Sequence, residues 1–123
     1  MFCRISYRLR FQRKKFLKIN SVMSLNVYYE IGDLKFVWDE EKAKINKRKH
    51  KVSFETAARV FLDDYLIDNF DEIHSDFEER IQIIGKVGNV LTVIYTERGD
   101  RNRIISARRA TKDEEDEYYG QFY

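Results

Sequence analysis

In the stretch VIYTERGDRNRIISARRA, residues 93–110, five arginines flank a single polar turn: Arg98, Arg101, Arg103, Arg108 and Arg109. A guanidinium presents a rigid fork of N–H donors that matches phosphate oxygens. A convergent set of them would hold a nucleic-acid backbone by displacing its counterions. The pattern begins earlier, at Arg80: residues 80–109 carry seven bases, including Arg80 and Lys86, against two acids, Glu97 and Asp100. The same charges would also serve as solvated strand ends that keep sheet edges from aggregating. Charge alone does not separate binding from catalysis.

Proton-transfer groups are scarcer. Ala43, Asn46 and His50 fall at helical spacing on one face of the segment WDEEKAKINKRKH. His50 is either a structural imidazole that fixes the loop to Ser53 or a group near the active surface that exchanges protons near neutral pH. Tyr95 is either a core residue or a phenol at the sheet surface beside Thr96 and Arg98. The segment DEIHSDFEER, residues 71–80, mixes His74 with Glu78, Glu79 and Arg80. A metal centre needs several ligands aimed at one point. Two histidines in the whole chain, His50 and His74, are too few for a convincing cluster. No metal and no cofactor are expected; instead Glu78 or Glu79 is expected to pair with an arginine of the hairpin. Trp38 reads as core rather than as a base-stacking platform.

These groups need a scaffold, and the hydrophobic pattern supplies one. Lys35–Trp38 reads as a short first strand. Asp39–His50 reads as a polar helix with acids at its start and Lys and Arg at its end, as the helix dipole favours. Ser53 is a plausible N-cap for a second helix, Phe54–Phe61, whose Phe54, Ala57, Ala58 and Phe61 form a core-facing stripe. Strands follow at Tyr65–Phe70, Arg80–Lys86, Val90–Thr96 and Arg103–Arg108, with Gly88-Asn89 as a hairpin turn. Thr111 to Glu114 has capping-box spacing and opens a short C-terminal helix. Tight turns between strands predict an α+β fold: two N-terminal helices on one face of a four-stranded antiparallel sheet, extended by the short first strand. Alternation raises a difficulty. Arg103 and Arg108 have opposite parity, so a regular strand sends them to opposite faces unless a bulge intervenes. If only one of them serves the site, Arg103 is favoured.

A chain of 123 residues suits one domain with a modest core. Hydrophobic residues make up 43% and charged residues 36%, and no apolar run approaches the roughly 18 residues a membrane span needs. One cysteine, Cys3, excludes an internal disulfide and suits a reducing, cytoplasmic setting. The net charge of +2 conceals an asymmetry: residues 1–22 hold seven bases and no acid, whereas residues 110–123 hold one base and five acids. The basic leader, 1–22, reads as a transit-like peptide, a nucleic-acid-binding arm or a mis-assigned start ahead of Met23. Residues 23–123 are expected to form the single domain.

The segments WDEEKAKINKRKHKVSFETAARVFLDD, HSDFEERIQIIG and LTVIYTERGDRNRIISARRAT together resemble the BrnT family of toxins from bacterial toxin–antitoxin systems. The resemblance runs from about Lys35 to Tyr119 and rests on KH-x-V-SFE-x-A, H-S-x-x-E-x-R and R-I-I-SAR-x-A in order. Lys51 departs from it, standing where the family usually has glycine after the histidine. The resemblance implies a RelE-like fold, a ribonuclease that suppresses translation, and a BrnA-like antitoxin partner that contacts operator DNA. A ribonuclease acting without metal would use the RNA 2′-hydroxyl as nucleophile, a general base, an acid for the leaving oxygen, and cations for the transition state. Arg80, Arg98, Arg103 and Arg108 are the expected phosphate or transition-state ligands, and His50 or Tyr95 the expected proton-transfer group. The competing readings are a non-catalytic nucleic-acid-binding module and a partner-docking protein.

Overall fold

The computed structural model describes residues 25–71 and 79–123, with Phe70 and Asp71 described by backbone alone. The leader and the segment holding His74 and Glu78 lie outside the described residues. Nine elements follow in order: β1 (Asn26–Ile31), β2 (Leu34–Asp39), α1 (Glu40–His50), α2 (Phe54–Val60), β3 (Ile67–Asp71), β4 (Arg80–Val87), β5 (Asn89–Arg98), β6 (Arg101–Arg109) and α3 (Lys112–Gly120). The strands form one sheet in the order β1-β2-β6-β5-β4-β3.

That sheet corrects the expected one in two respects. It has six strands, and it is mixed, because β2 runs parallel to β6 while every other pair is antiparallel. The unforeseen strand, β1, reads NVYYEI, and its residues alternate exposed and half-buried as an edge hairpin partner should. It turns into β2 through Gly32, whose φ of +57° suits a residue without Cβ. The parallel pair arises because the chain leaves β2 through α1 and α2, returns by way of the β3–β5 meander, and comes back beside β2 only with β6.

Capping determines where the helices begin. The Asp39 carboxylate accepts from the Glu41 and Lys42 N–H groups, so Asp39 precedes α1 as its cap rather than opening the helix. Ser53 caps α2 through the Thr56 N–H, and Thr111 with Glu114 completes a reciprocal capping box on α3. The expected stripe of α2 is present: Phe54, Ala57 and Ala58 are fully buried, and Phe61, just past the helix, is packed against the same cluster. Alanines at the two central positions let the helix backbone approach the sheet. Trp38 joins the core and meets Phe54 edge-on at 5.8 Å between centroids.

A buried amide ties α1 to the sheet. Strand β2 covers β6 only at Asn102 and Arg103, which leaves the later part of that β6 edge without a strand neighbour. There Asn46, 7% exposed, takes the neighbour's place. Its Nδ2 donates to the Ala107 carbonyl at 2.8 Å and the Val52 carbonyl at 3.0 Å, and its Oδ1 accepts from the Ala107 N–H at 3.2 Å. The Asn46→Ala variant should lose roughly 2–4 kcal/mol in urea denaturation, because it orphans buried main-chain groups. A loss under about 1 kcal/mol would show that water satisfies them instead.

The end of α1 carries a second local cost. Lys51 terminates the helix in the left-handed region, φ 63° and ψ 25°, with its N–H on the Lys47 carbonyl. Side chains with Cβ occupy that region at roughly 1–2 kcal/mol. Glycine relieves this but frees the unfolded chain, so Lys51→Gly should stabilise by about 0.5–1 kcal/mol in the same assay. An unchanged midpoint would mean that the 3.0 Å bond from Lys51 Nζ to the Arg48 carbonyl offsets the strain.

Candidate nucleic-acid interface

The two faces of the sheet have different fates. Helices α1 and α2 bury one face around Phe36, Trp38, Ile83, Val93, Ile104 and Ala107. Among the described residues, the helix that packs on the opposite face is α3, whose Tyr118 meets Ile84 and Val90 at one end. The question is which arginines reach that open face.

A register shift in the β5–β6 ladder decides it. Ile94 pairs with Ser106 but Tyr95 pairs with Ile104, so Ile105 has no partner across. One extra residue reverses the parity of β6 on either side of it. Ile104 and Ala107, three apart, therefore both enter the helix-side core. For the same reason Arg103 lies opposite Thr96 and Arg108 opposite Thr92, both on the open face. The bulge that both arginines require is present. Arg98 and Arg101, paired with each other, share this parity. Arg80 shares it as well, since Ile81 and Ile83 beside it belong to the helix-side cluster and Ile84 to the other.

These arginines are not equivalent. The Arg108 guanidinium grips the Glu114 carboxylate through two bonds, 2.8 and 3.0 Å, and ties α3 to the sheet. Thr92 Oγ1 at 2.8 Å and the Thr111 N–H at 2.9 Å complete the ring of donors to Glu114. The Arg108 guanidinium holds that carboxyl down to about 2, outweighing the upward push of burial. Arg101 is likewise occupied: it donates to the Phe36 carbonyl, pairs with Glu30 at 3.2 Å and stacks 5.0 Å from the Tyr28 ring centre. Arg103 donates one long hydrogen bond, 3.4 Å, to Asn26 Oδ1. Arg80 is half-buried, and its Nε is enclosed without a hydrogen-bond partner. Arg98 is exposed at the end of β5. Glu79 is exposed and meets the sheet through its main-chain carbonyl, which accepts from Thr96 Oγ1 at 2.6 Å.

The two expected proton-transfer groups are elsewhere. Tyr95 lies in the helix-side core, 8% exposed and edge-on to Phe61 at 4.8 Å between centroids. Burial pushes its phenol up to about 12, with the charges of Asp68 and Glu97 adding to the rise. His50 lines a cavity on the helix side with Lys51 and Arg109. The structure thus brings Arg80, Arg98, Arg103 and Arg108 onto one face and separates them from His50 and Tyr95 by the thickness of the sheet. Among the described residues no three His, Cys, Asp or Glu side chains cluster as metal ligands.

Residues 38–114, which span this sheet face, both helices beneath it and Glu114, match the family described as the ribonuclease toxin BrnT of type II toxin–antitoxin systems. The chain belongs to the BrnT family. Among solved structures, it is similar to the 1.1 Å crystal structure of the Brucella abortus ribonuclease toxin BrnT, at 25% identity and a TM-score of 0.47, with 61% of this chain and 94% of that chain covered. No curated protein matches the sequence. The family is one of ribonuclease toxins of toxin–antitoxin systems, which implies an antitoxin partner. Among the described residues no helix is long and apolar enough to cross a membrane.

The structural roles of two residues were not apparent from the sequence. Asn46 was legible as a buried polar residue in need of partners but not as the partner of Ala107. Glu114 was legible as a capping-box residue, yet its bond to Arg108 depends on the bulge. The Glu114 carboxyl is depressed in the folded chain, so its contribution is complete above the unfolded value of about 4.5 and disappears as pH falls toward 2. In Glu114→Gln that part of the acid dependence should be absent, and stability at neutral pH should fall by about 1–2 kcal/mol. Parallel pH–stability curves for the two proteins between pH 5 and pH 2 would show that the latch is not formed in solution.

Proposed function

We propose that this chain is the toxin of a type II pair and cleaves RNA on the open sheet face, with Arg80, Arg98 and Arg103 as the phosphate-binding set. The observation that supports the reading is the β5–β6 register, which pairs Arg98 with Arg101 and Thr96 with Arg103 and so sets Arg103 on the same face as Arg98 and Arg80; the bulge at Ile105 brings Arg108 there as well. Arg108 sits on that face too, but its fork is filled by Glu114, so its role is to hold α3 in place.

The reaction consistent with this surface uses the RNA's own nucleophile. The 2′-oxygen attacks phosphorus, the bond from phosphorus to the 5′-oxygen breaks, and a cyclic phosphate and a 5′-hydroxyl result. The proton leaves the 2′-hydroxyl as the bond forms, and one is delivered to the departing 5′-oxygen. DNA, without the 2′-hydroxyl, is not a substrate. Charge on the non-bridging oxygens rises in the transition state, and fixed guanidiniums stabilise it without reorganising. His50 and Tyr95 have no part in this reading, since neither reaches the arginine face. No metal is assigned to the reaction. Cleavage of cellular RNA would suppress translation, and a BrnA-like antitoxin that contacts operator DNA would restrain it by covering the basic face.

Purified protein incubated with RNA in chelator tests this directly. Arg103→Ala should reduce the cleavage rate roughly a hundred- to a thousand-fold with the fold intact by circular dichroism, and Arg80→Ala should behave similarly. Tyr95→Phe and His50→Ala should each change it by less than about ten-fold. A loss of about a hundred-fold or more in either would move proton transfer to the helix side. Tight binding with the RNA left whole would favour a non-catalytic RNA-binding module.

A further inference from the structure

On the side of the sheet away from the arginine face, a cavity of about 290 Å³ lies where four parts of the chain meet. The end of α1 supplies His50 and Lys51, the start of α2 Thr56, the β4–β5 hairpin Asn89, and the end of β6 Arg109. Its apolar wall is Val52, Val87 and Leu91, of which Val52 and Leu91 are almost fully buried. Among the described residues no carboxylate lines it.

The lining has two halves of different chemistry. An imidazole, an ammonium, a guanidinium, an amide and a hydroxyl make one half rich in hydrogen-bond donors. The other half is aliphatic. Among the described residues neither the His50 imidazole nor the Arg109 guanidinium makes a hydrogen bond or ion pair, so their donors are available to a ligand. Lys51 also lines the cavity; its ammonium donates to the Arg48 carbonyl at 3.0 Å, which leaves its other two N–H donors for a ligand. A lone inorganic anion would use the first half and leave the second idle. A volume near 300 Å³ is at the small end of ligand pockets.

We infer that this cavity binds a nucleoside phosphate, with the phosphate on Arg109, Lys51 and His50 and the base or ribose against Val52, Val87 and Leu91. The ligand is either a free mononucleotide or the terminal nucleotide of an RNA. The site is distinct from the arginine face. Arg109 follows Arg108 directly, and alternation sends the two to opposite sides of the sheet. Arg103 is six residues away, roughly 20 Å along the strand. Cleavage elsewhere is not needed for this binding, so failure here would leave the open-face reading untouched, and the reverse also holds.

Titration calorimetry with uridine 5′-monophosphate, uridine and inorganic phosphate tests it, followed by a 2′-O-methyl trinucleotide with and without a 5′-phosphate. The monophosphate should bind at least about ten-fold more tightly than either uridine or phosphate alone, as expected when a charged bond and an apolar contact act together. Arg109→Ala should weaken it about ten-fold or more, and Arg103→Ala should leave it unchanged. Arg109 is exposed, so its removal spares the core; Asn89→Asp, which sets a carboxylate on the rim, provides an independent variant and should weaken binding as well. A phosphorylated trinucleotide binding as the monophosphate does would identify an RNA end as a ligand, and preference for the monophosphate would identify a free nucleotide. Equal affinity for uridine and its monophosphate, insensitivity to both rim variants, or loss in Arg103→Ala would overturn the assignment.

Discussion

One unpaired residue in a strand governs which face of the sheet Arg108 shares with Arg103. Ile105 faces nothing on β5, and the parity of β6 reverses around it. Were β6 regular, Arg103 and Arg108 would lie on opposite faces, and one of them would point into the layer filled by α1 and α2. A guanidinium buried there without a partner would cost several kcal/mol, about the size of a small domain's whole stability. The bulge avoids this and gains a second effect, because Ile104 and Ala107 both become core residues. Bulges interrupt a ladder and leave backbone groups to be satisfied. Here the Asn46 amide meets both main-chain groups of Ala107, two residues past the interruption. The same amide reaches the Val52 carbonyl, so the route of the chain from α1 into α2 depends on the irregularity in β6.

The arginines divide by what already holds them. A bidentate bond to a carboxylate is among the stronger polar contacts available, and a phosphate would have to displace it. Arg108 is committed in this way to Glu114, and Arg101 to Glu30, the Phe36 carbonyl and the Tyr28 ring. Arg103 has a single long bond to a neutral amide to give up. Exchanging that for a charge-assisted bond to phosphate is favourable by a margin of about 1–2 kcal/mol. Arg80 presents an enclosed Nε with its hydrogen-bonding capacity unused. The count of basic residues therefore overstates the binding surface, and the formal charge of the hairpin is a poor guide to which groups a ligand meets.

Much of the scaffold was legible because it is local. Caps at Ser53 and Thr111, the Phe54-Ala57-Ala58 stripe and the hairpin at Gly88 each follow from residues a few positions apart. The misses are of two kinds. Strand β1 was legible in principle, since NVYYEI alternates and precedes a Gly-Asp turn, but it lies outside the segments that carry the family resemblance. The parallel pairing of β2 with β6 was not, because it joins residues some sixty-five apart, Phe36 with Asn102, and no short pattern encodes such a contact. The bulge falls between these cases. Parity showed that Arg103 and Arg108 could not both serve one face of a regular strand, so the need for an irregularity was visible although its position was not. The candidate site was half legible for the same reason: its cations are marked by residue type, whereas the placement of His50 and Tyr95 beneath the sheet depends on the tertiary path of α1 and β5.

The C-terminal helix makes the charge of this face uneven. Helix α3 is acidic, with Asp113, Glu114, Glu115, Asp116 and Glu117 in sequence, and it docks over the end of the open face where Arg108 stands. Phosphates are repelled from that end. Arg80, Arg98 and Arg103 cluster at the other, since Arg80 opens β4, Arg98 closes β5 and Arg103 is near the start of β6. Between Arg108 and Arg103 the strand spans roughly 17 Å, about two Debye lengths at physiological salt. The acids of α3 therefore do not cancel the arginine end; they polarise the face. An RNA strand on this face, as proposed above, would be drawn toward the arginine end and away from α3. The same arrangement makes the Glu114–Arg108 bond more than a structural clasp, because it fixes the negative pole of the surface at a set distance from the positive one.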